Sequence, residues 1–333
     1  MKNVACITGI TGQTGSYLAE ILLAQGYKVY GLKRRSSSFN TERLNHIYLD
    51  PHNHPNLELI YGDLSDYSSI ASFIADAKPE LFFNMAAQSH VRVSFDIPEN
   101  TFDVDSTGVM RCLEAIRKYS PTTRFLQASS SEMFGSTPPP QNELTPFHPR
   151  SPYAVAKVAG YWSTVNYREA YGMFATNAIS FNHESPRRGE TFVTRKITRG
   201  ITRIKLGLQD KLYLGNLDAK RDWSHAKDMA NAMYKIITAE NPEDYVVASG
   251  EMHSVQEFLD LVCNKLGVNY KDHIEIDPRY FRPSEVDALC GDASKLITKL
   301  NWKPEYTFDM LVEEMIKEDW TLALNEKLIK DKG

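Results

Sequence analysis

Along its first half the chain alternates between two spacings of apolar residues. Short runs rich in β-branched and aromatic residues, "NVACITG", "YKVYGL", "LELIYGDL", "ELFFNMAA", "RFLQASS" and "FATNAIS", have the length and composition of strands buried on both faces. Between them lie segments with apolar residues at helical spacing. "GSYLAEILLAQG" carries Tyr17, Leu18, Ile21 and Leu22, and "SSIASFIADA", "GVMRCLEAIRKY" and "YAVAKVAGYWSTVNYREAYG" continue the rhythm. Such alternation predicts βαβ units and a parallel sheet with helices on both faces. Because crossovers are right-handed, the expected fold of residues 1–181 is α/β, a doubly wound parallel Rossmann sheet.

After residue 181 the rhythm breaks. A charged stretch, "HESPRRGETFVTRKITRG", leads into a helix through "RGITRIKLG" and a short strand at "LYLG". "HAKDMANAMYKIITA" and "DYVVASG" predict one more helix and strand returning to the first sheet within 222–249. "VQEFLDLVCNKLG", "HIEIDP", "DASKLITKLNW" and "FDMLVEEMIKEDW" suit a second, smaller α/β lobe, assembled from 182–221 and 250–333. No internal repeat interrupts the chain, and "STPPPQ" (136–141) reads as a rigid loop.

Composition narrows the partners. A chain of 333 residues with 42% hydrophobic and 24% charged residues has the balance of a soluble globular protein with a substantial core. The net charge of −4 argues against nucleic acid or a membrane surface, yet permits a small anionic ligand held by a local group of arginines. Cys6, Cys112, Cys263 and Cys290 stand far apart, without C-x-x-C or metal-ligand spacing, so reduced thiols and no metal are expected. A strand-like segment begins within three residues of the N-terminus, leaving no room for a signal peptide, and no apolar run approaches the ~20 residues of a membrane span. A cytoplasmic location is expected.

"TGITGQTG" places Gly9, Gly12 and Gly15 between the first strand and the first helix. Gly9 permits a tight turn, Gly12 lets backbone approach a pyrophosphate, and Gly15 lets helix and strand pack closely, with Gln13 and Thr14 in the same turn. In the strand–turn–helix context this predicts dinucleotide binding. An NAD site usually has an acidic residue at the end of the second strand. Here "GLKRRSSS" offers Arg34, Arg35 and Ser36 instead, which suit a 2′-phosphate and favour NADP. Asp63, with Leu64 beside it, falls at the end of the third strand, where a carboxylate can meet the adenine amine.

"SPYAVAKVAGYW" opens with a Ser-Pro helix start and sets Tyr153 and Lys157 four residues apart on one helix face. An ammonium near a phenol stabilises the phenolate, drawing its pKa towards working pH. The tyrosine can then take an alcohol proton while hydride leaves the same carbon.

With Gly9–Gly15, the "NMAAQSHV" strand end, Ser130 and Tyr153/Lys157 in place, the chain resembles the extended short-chain dehydrogenase/reductases. Within them "RRSSSFNTERL", "AAQSHVRVSF", "NHESPRRGETFVTRKI", "LGNLDAKRDWSHAKDM" and "RYFRPSEVDALCGD" are similar to the GDP-mannose 4,6-dehydratases, from residue 4 to about 315. The resemblance implies a catalytic set of Ser130, Glu132, Tyr153 and Lys157. Met85, Ala86, Ala87, Gln88 and Ser89 would line the cofactor, as would His183 and Arg188. Asn182, Lys196, Arg221, Arg282 and Glu285 would hold a GDP-sugar, along with Ser89 and Glu132.

It also implies a lyase. Hydride leaves C4 for NADP and returns to C6, so the cofactor is not consumed. Ser130 supports the developing ketone, and Glu132 takes the C5 proton and helps the C6 hydroxyl leave as water. A plain epimerase or reductase has no use for that carboxylate, nor does a non-catalytic NADP-binding regulator need all four residues. Three positions depart from the family pattern: Thr14 for aspartate, Ser130 for threonine and Asn100 for tyrosine. They leave GDP-D-glycero-D-manno-heptose as an alternative substrate. By the same resemblance, "RRSSSFNT" lies at a contact between subunits, and a homo-oligomer is expected, a dimer or tetramer.

Overall fold

The computed structural model describes residues 3–48 and 56–332. Twelve strands are present among them: β1 (Val4–Thr8), β2 (Lys28–Lys33), β3 (Leu57–Tyr61), β4 (Leu81–Asn84), β5 (Arg124–Ser130), β6 (Ala175–Ser180), β7 (Asn182–Glu184), β8 (Leu212–Leu214), β9 (Lys220–His225), β10 (Tyr245–Val247), β11 (Met252–Ser254) and β12 (Ile274–Ile276). Seven form one sheet in the order β10-β6-β5-β4-β1-β2-β3, with every neighbouring pair parallel.

Adjacent strand residues serve opposite cores, which is why these runs are apolar throughout rather than alternating. Cys6, Phe82 and Phe125 meet Leu113 and Ile116 on one face. Ile7, Phe83 and Leu126 meet Leu18, Leu22, Met229 and Met233 on the other. The helix Ala226–Ile237 thus packs on the large sheet, and β10 extends that sheet beside β6. Ala293, Leu296 and Trp302, from the chain's last third, also belong to this core.

The helices Val193–Lys205, Val255–Leu266 and Phe308–Lys332 build a separate core around Ile197, Ile201, Phe258, Leu259, Val312 and Met315. Two small sheets flank it: β7 and β11 on either side of β9, and β8 parallel to β12. Inside it Arg195 Nε lies 2.7 Å from Asp319, and Thr198 Oγ1 donates to the same carboxylate at 2.6 Å. Both partners are buried, so the pair is satisfied where it stands.

The chain passes between the two cores at 182–192, and this passage is pinned to the first helix, Gln13–Ala24. Gln13 Nε2 donates to the His183 carbonyl at 3.0 Å, and Ser185 Oγ donates to Gln13 Oε1 at 2.7 Å. Arg187 donates to Ser16 Oγ at 3.0 Å, pairs with Glu20 at 2.6 Å and lies 3.9 Å above the Tyr17 ring. A cleft between the lobes therefore opens over the C-terminal ends of β1, β4, β5 and β6. In a doubly wound sheet that is where ligands bind, at the point where strand order reverses from β1.

Candidate active site

The glycine turn is shaped by contacts that exclude side chains. Gly9 has φ +66°, and a Cβ there would lie 2.8 Å from the Ala86 backbone. A Cβ on Gly15 would come within 2.5 Å of the Gly9 carbonyl. Gly12 caps the helix Gln13–Ala24 with no side-chain hydrogen bond, so no side chain takes up the leading N–H groups. Below the turn, Thr8 Oγ1 donates to Asn84 Oδ1 at 2.6 Å and accepts from the Met85 and Ala86 amides. Asn84 passes the chain on to Gln127 at 2.7 Å. These buried side chains lock the ends of β1, β4 and β5 against one another.

Arg34 and Arg35 follow β2 directly and are exposed. Asp63 lies two residues beyond β3, one carboxylate oxygen accepting from Ser65 N and Oγ, and Leu64 is buried behind it. His183 reaches back to the glycine turn: its Nδ1 lies 2.9 Å from the Phe181 carbonyl and its Nε2 2.8 Å from Thr14 Oγ1. Burial, and next the Arg188 charge, depress its pKa to about 4, so the ring is neutral. A neutral ring facing a carbonyl carries its proton on Nδ1, and Thr14 donates to Nε2.

Ser130 ends β5, and Glu132 sits in the single turn that follows, its amide donating to Ser130 Oγ at 3.2 Å. Tyr153 and Lys157 come from the helix Pro152–Tyr171, which starts as its sequence predicts: Ser151 Oγ accepts from the Ala154 amide at 3.1 Å, with Pro152 in first position. All four side chains are buried. Burial raises the Tyr153 phenol well above its ordinary pKa, and Asp105 adds to this, while a hydrogen bond from Ser130 and the Arg188 charge pull the other way. Lys157 is not among the leading influences on this phenol: its ammonium turns to the Ala128 carbonyl at 3.1 Å and lies 5.6 Å from the Tyr153 ring centre. Its own pKa is depressed by burial, against the attraction of Asp105.

Glu132 is met from across the cleft. Arg282 Nη1 lies 3.3 Å from Glu132 Oε1 and 3.8 Å from Glu285. Arg221 is buried in β9, donates to the Lys220 and Val286 carbonyls at 2.9 and 2.8 Å, and stands 3.4 Å from Glu285. Burial lowers its pKa, with Glu132 opposing, so the carboxylate feels both guanidiniums. Arg188 pairs with Glu184 at 3.0 Å and covers the Phe192 ring at 3.7 Å. Ser89 is exposed at the cleft rim. Asn182 opens β7 opposite Trp223. Lys196 stands apart from the Glu132 group, with Nζ 3.4 Å above the Tyr280 ring.

Two residues of this site carry no sequence signal of their own. Asp105 lies in a π-turn, Asp103–Thr107, that interrupts the helix leading to Tyr119. It accepts from the Gln88 amide at 2.7 Å, while its other oxygen is buried without a partner. Burial raises its pKa to about 6 despite the nearby Lys157. His90 caps the short helix Val91–Ser94 and packs on Phe192 at 5.3 Å. Among the described residues no group of three or more His, Cys, Asp or Glu side chains is placed to hold a metal.

Residues 6–315 match the family model for GDP-mannose 4,6 dehydratase. The chain belongs to that family. A relative from Arabidopsis thaliana, GDP-mannose 4,6 dehydratase 1, is 59% identical over 338 residues, covering 100% of this chain and 94% of that protein. The Homo sapiens GDP-mannose 4,6 dehydratase is 50% identical over 340 residues, covering 96% and 91%. The dTDP-glucose 4,6-dehydratase of Bacillus anthracis, solved in complex with NAD, shares the fold at a TM-score of 0.81 and 23% identity, covering 95% of this chain and 96% of that one. In this chain Glu132 is a buried carboxylate beside Ser130, faced by the Arg221 and Arg282 guanidiniums.

Proposed function

We propose that this protein converts GDP-D-mannose to GDP-4-keto-6-deoxy-D-mannose with loss of water, using NADP that is neither consumed nor exchanged during turnover. The placement of Glu132 carries this reading. It lies beside Ser130 and Tyr153, buried and held by Arg282, where a simple oxidoreductase needs no carboxylate.

The chain's residues suit NADP. The Gly9–Gly15 turn leaves room only for backbone, and exposed Arg34 and Arg35 stand ready for a 2′-phosphate where NAD enzymes place an acid. Asp63, Leu64, Met85 to Ser89, His183 and Arg188 complete that side of the cleft. When bound, NADP supplies a reversible store for the hydride taken from C4 and returned to C6.

Tyr153 takes the O4 proton as its phenolate, the form that burial opposes and that the Ser130 hydrogen bond and the Arg188 charge favour. Ser130 donates to the forming ketone oxygen. The ketone acidifies the C5 proton, which Glu132 removes and passes to the departing C6 hydroxyl; as hydride reaches C6, C5 is reprotonated, and the proton that Tyr153 took from O4 closes the balance. Lys157 keeps positive charge beneath Tyr153. Arg221 and Arg282 bind diphosphate oxygens, and Asn182, Lys196 and Glu285 position the rest of the nucleotide sugar.

The protein works as a homo-oligomer. Val155 and Trp162 on the helix Pro152–Tyr171, with Met110 on the neighbouring helix, leave an apolar face about half exposed, which a second copy would cover. No helix among the described residues is long and apolar enough to cross a membrane. The four cysteines are free thiols, which suits the reducing cytoplasm.

Incubating the purified protein with GDP-mannose, without added cofactor, tests the reading: the product mass should fall by one water. Glu132→Gln should still bind the nucleotide sugar yet lose elimination by a factor of about 10² to 10⁴, the usual worth of a positioned base. Wild-type elimination in that variant would refute the assignment.

A further inference from the structure

Arg282 touches the carboxylate read above as the base. Its Nη1 donates to Glu132 Oε1 at 3.3 Å, and the same nitrogen lies 3.8 Å from Glu285 Oε1. That glutamate oxygen also stands 3.4 Å from Arg221 Nη2 and accepts the Val286 amide at 3.2 Å. Arg221 is anchored in turn by the Lys220 and Val286 carbonyls. Glu132, Arg282, Glu285 and Arg221 therefore form a row of alternating charge, fixed at its far end in β9.

The row leaves two sets of atoms open. Both carboxylates approach one nitrogen of Arg282; among the described residues, its Nε and Nη2 make no hydrogen bond, and nothing donates to Glu132 Oε2. A guanidinium is a rigid planar fork, so one edge can hold a carboxylate while the other meets phosphate oxygens. The backbone does little to aim this fork. Residues 281–285 belong to no helix or strand, and run from the single turn Pro278–Tyr280 to Asp287, whose carbonyl accepts the Lys220 amide at 2.8 Å. The ion pairs themselves set the direction of Arg282.

Resting on the reading that a GDP-sugar fills this cleft, we propose that Arg282 is a positioning residue for Glu132 as well as a diphosphate ligand. Through Nη1 it fixes Glu132 Oε1, so that Oε2 is the oxygen presented to the sugar, while Nε and Nη2 take the diphosphate. The guanidinium is then the rigid link between the two ends of the ligand. Binding energy gained at the non-reacting diphosphate sharpens the placement of the group that acts on the sugar, and so appears in kcat as well as in KM.

A lysine at this position tests the link, because an ammonium is a point charge that can meet the diphosphate but cannot hold the carboxylate at a fixed angle to it. Turnover of GDP-mannose and calorimetric affinity for GDP are measured in wild type, Arg282→Lys, Glu132→Gln and the double variant. Arg282 is partly exposed, so the exchange leaves no hole in the core, and unchanged cofactor content checks the fold. Arg282→Lys should lower kcat about tenfold while GDP affinity stays within about threefold of wild type. In the Glu132→Gln background the same exchange should lower the residual kcat no further, since the group it positions is already gone. Equal kcat losses in the two backgrounds would mean that Arg282 does not act through Glu132, and would overturn the proposal. So would an unchanged kcat with a raised KM, the mark of a residue that only binds. Failure of GDP to bind wild type, or of GDP-mannose to turn over in it, overturns the substrate reading, and this proposal with it.

Discussion

Replacing Asp105 by asparagine isolates the energetic cost of a buried carboxylate. In the folded protein its pKa is about 6, against an ordinary 3.8. A raised folded-state value means that the native state binds the proton more tightly than the unfolded chain does. Stability therefore falls as pH rises from about 4 to about 6, and the ionised carboxylate costs about 3 kcal/mol above that window. Asparagine has the same shape and still accepts the Gln88 amide, but it cannot ionise. Relative to wild type, Asp105→Asn should gain stability with pH: by integration of the two titrations, about 1.4 kcal/mol more at about pH 8 than at about pH 5. Urea unfolding followed by circular dichroism across that range measures it. A stability difference that does not change with pH would refute the raised pKa. Activity should move the other way, because Lys157 loses the negative charge that opposes its own desolvation.

Two further outcomes are expected. Arg34→Ala and Arg35→Ala should each reduce the preference for NADP over NAD by about tenfold, the value of one charged contact to phosphate, as measured by competitive cofactor binding to apoprotein; an unchanged ratio would remove these arginines from the 2′-phosphate site. Trp162→Asp should shift the protein to a smaller species in sedimentation, since a carboxylate cannot be buried unpaired at an apolar contact; an unaltered sedimentation profile would place the subunit contact elsewhere.

The large sheet was legible because both of its faces are buried, so each strand is apolar over its whole length and each helix has one apolar side. In the second lobe "LYLG" was legible as a strand, but β7, β9 and β11 were not. β7 is "NHE" and β11 is "MHS", three residues each, and β9 reads "KRDWSH", with charges buried as Arg221 and Asp222 rather than exposed. No alternation marks them. The Tyr153/Lys157 spacing needed only one helix to be read. By contrast, Glu132 and Arg282 are 150 residues apart, and their meeting depends on how the second lobe folds over the first. Asp105 was invisible for another reason. A carboxylate in an amphipathic helix reads as a solvated face, and only the π-turn rotates this one inward.

The passage at 182–192 has a consequence for how such proteins can be recombined. Gln13, Ser16, Tyr17 and Glu20 meet Ser185 and Arg187 side chain to side chain, so the helix beneath the nucleotide and the entry to the second lobe form one fitted joint. The lobes are not exchangeable cassettes. A chimera that imports a foreign second lobe must also import its matching residues on the first helix; otherwise a buried glutamine and a guanidinium lose their partners in the joint, and the hybrid's cofactor grip suffers together with its choice of sugar.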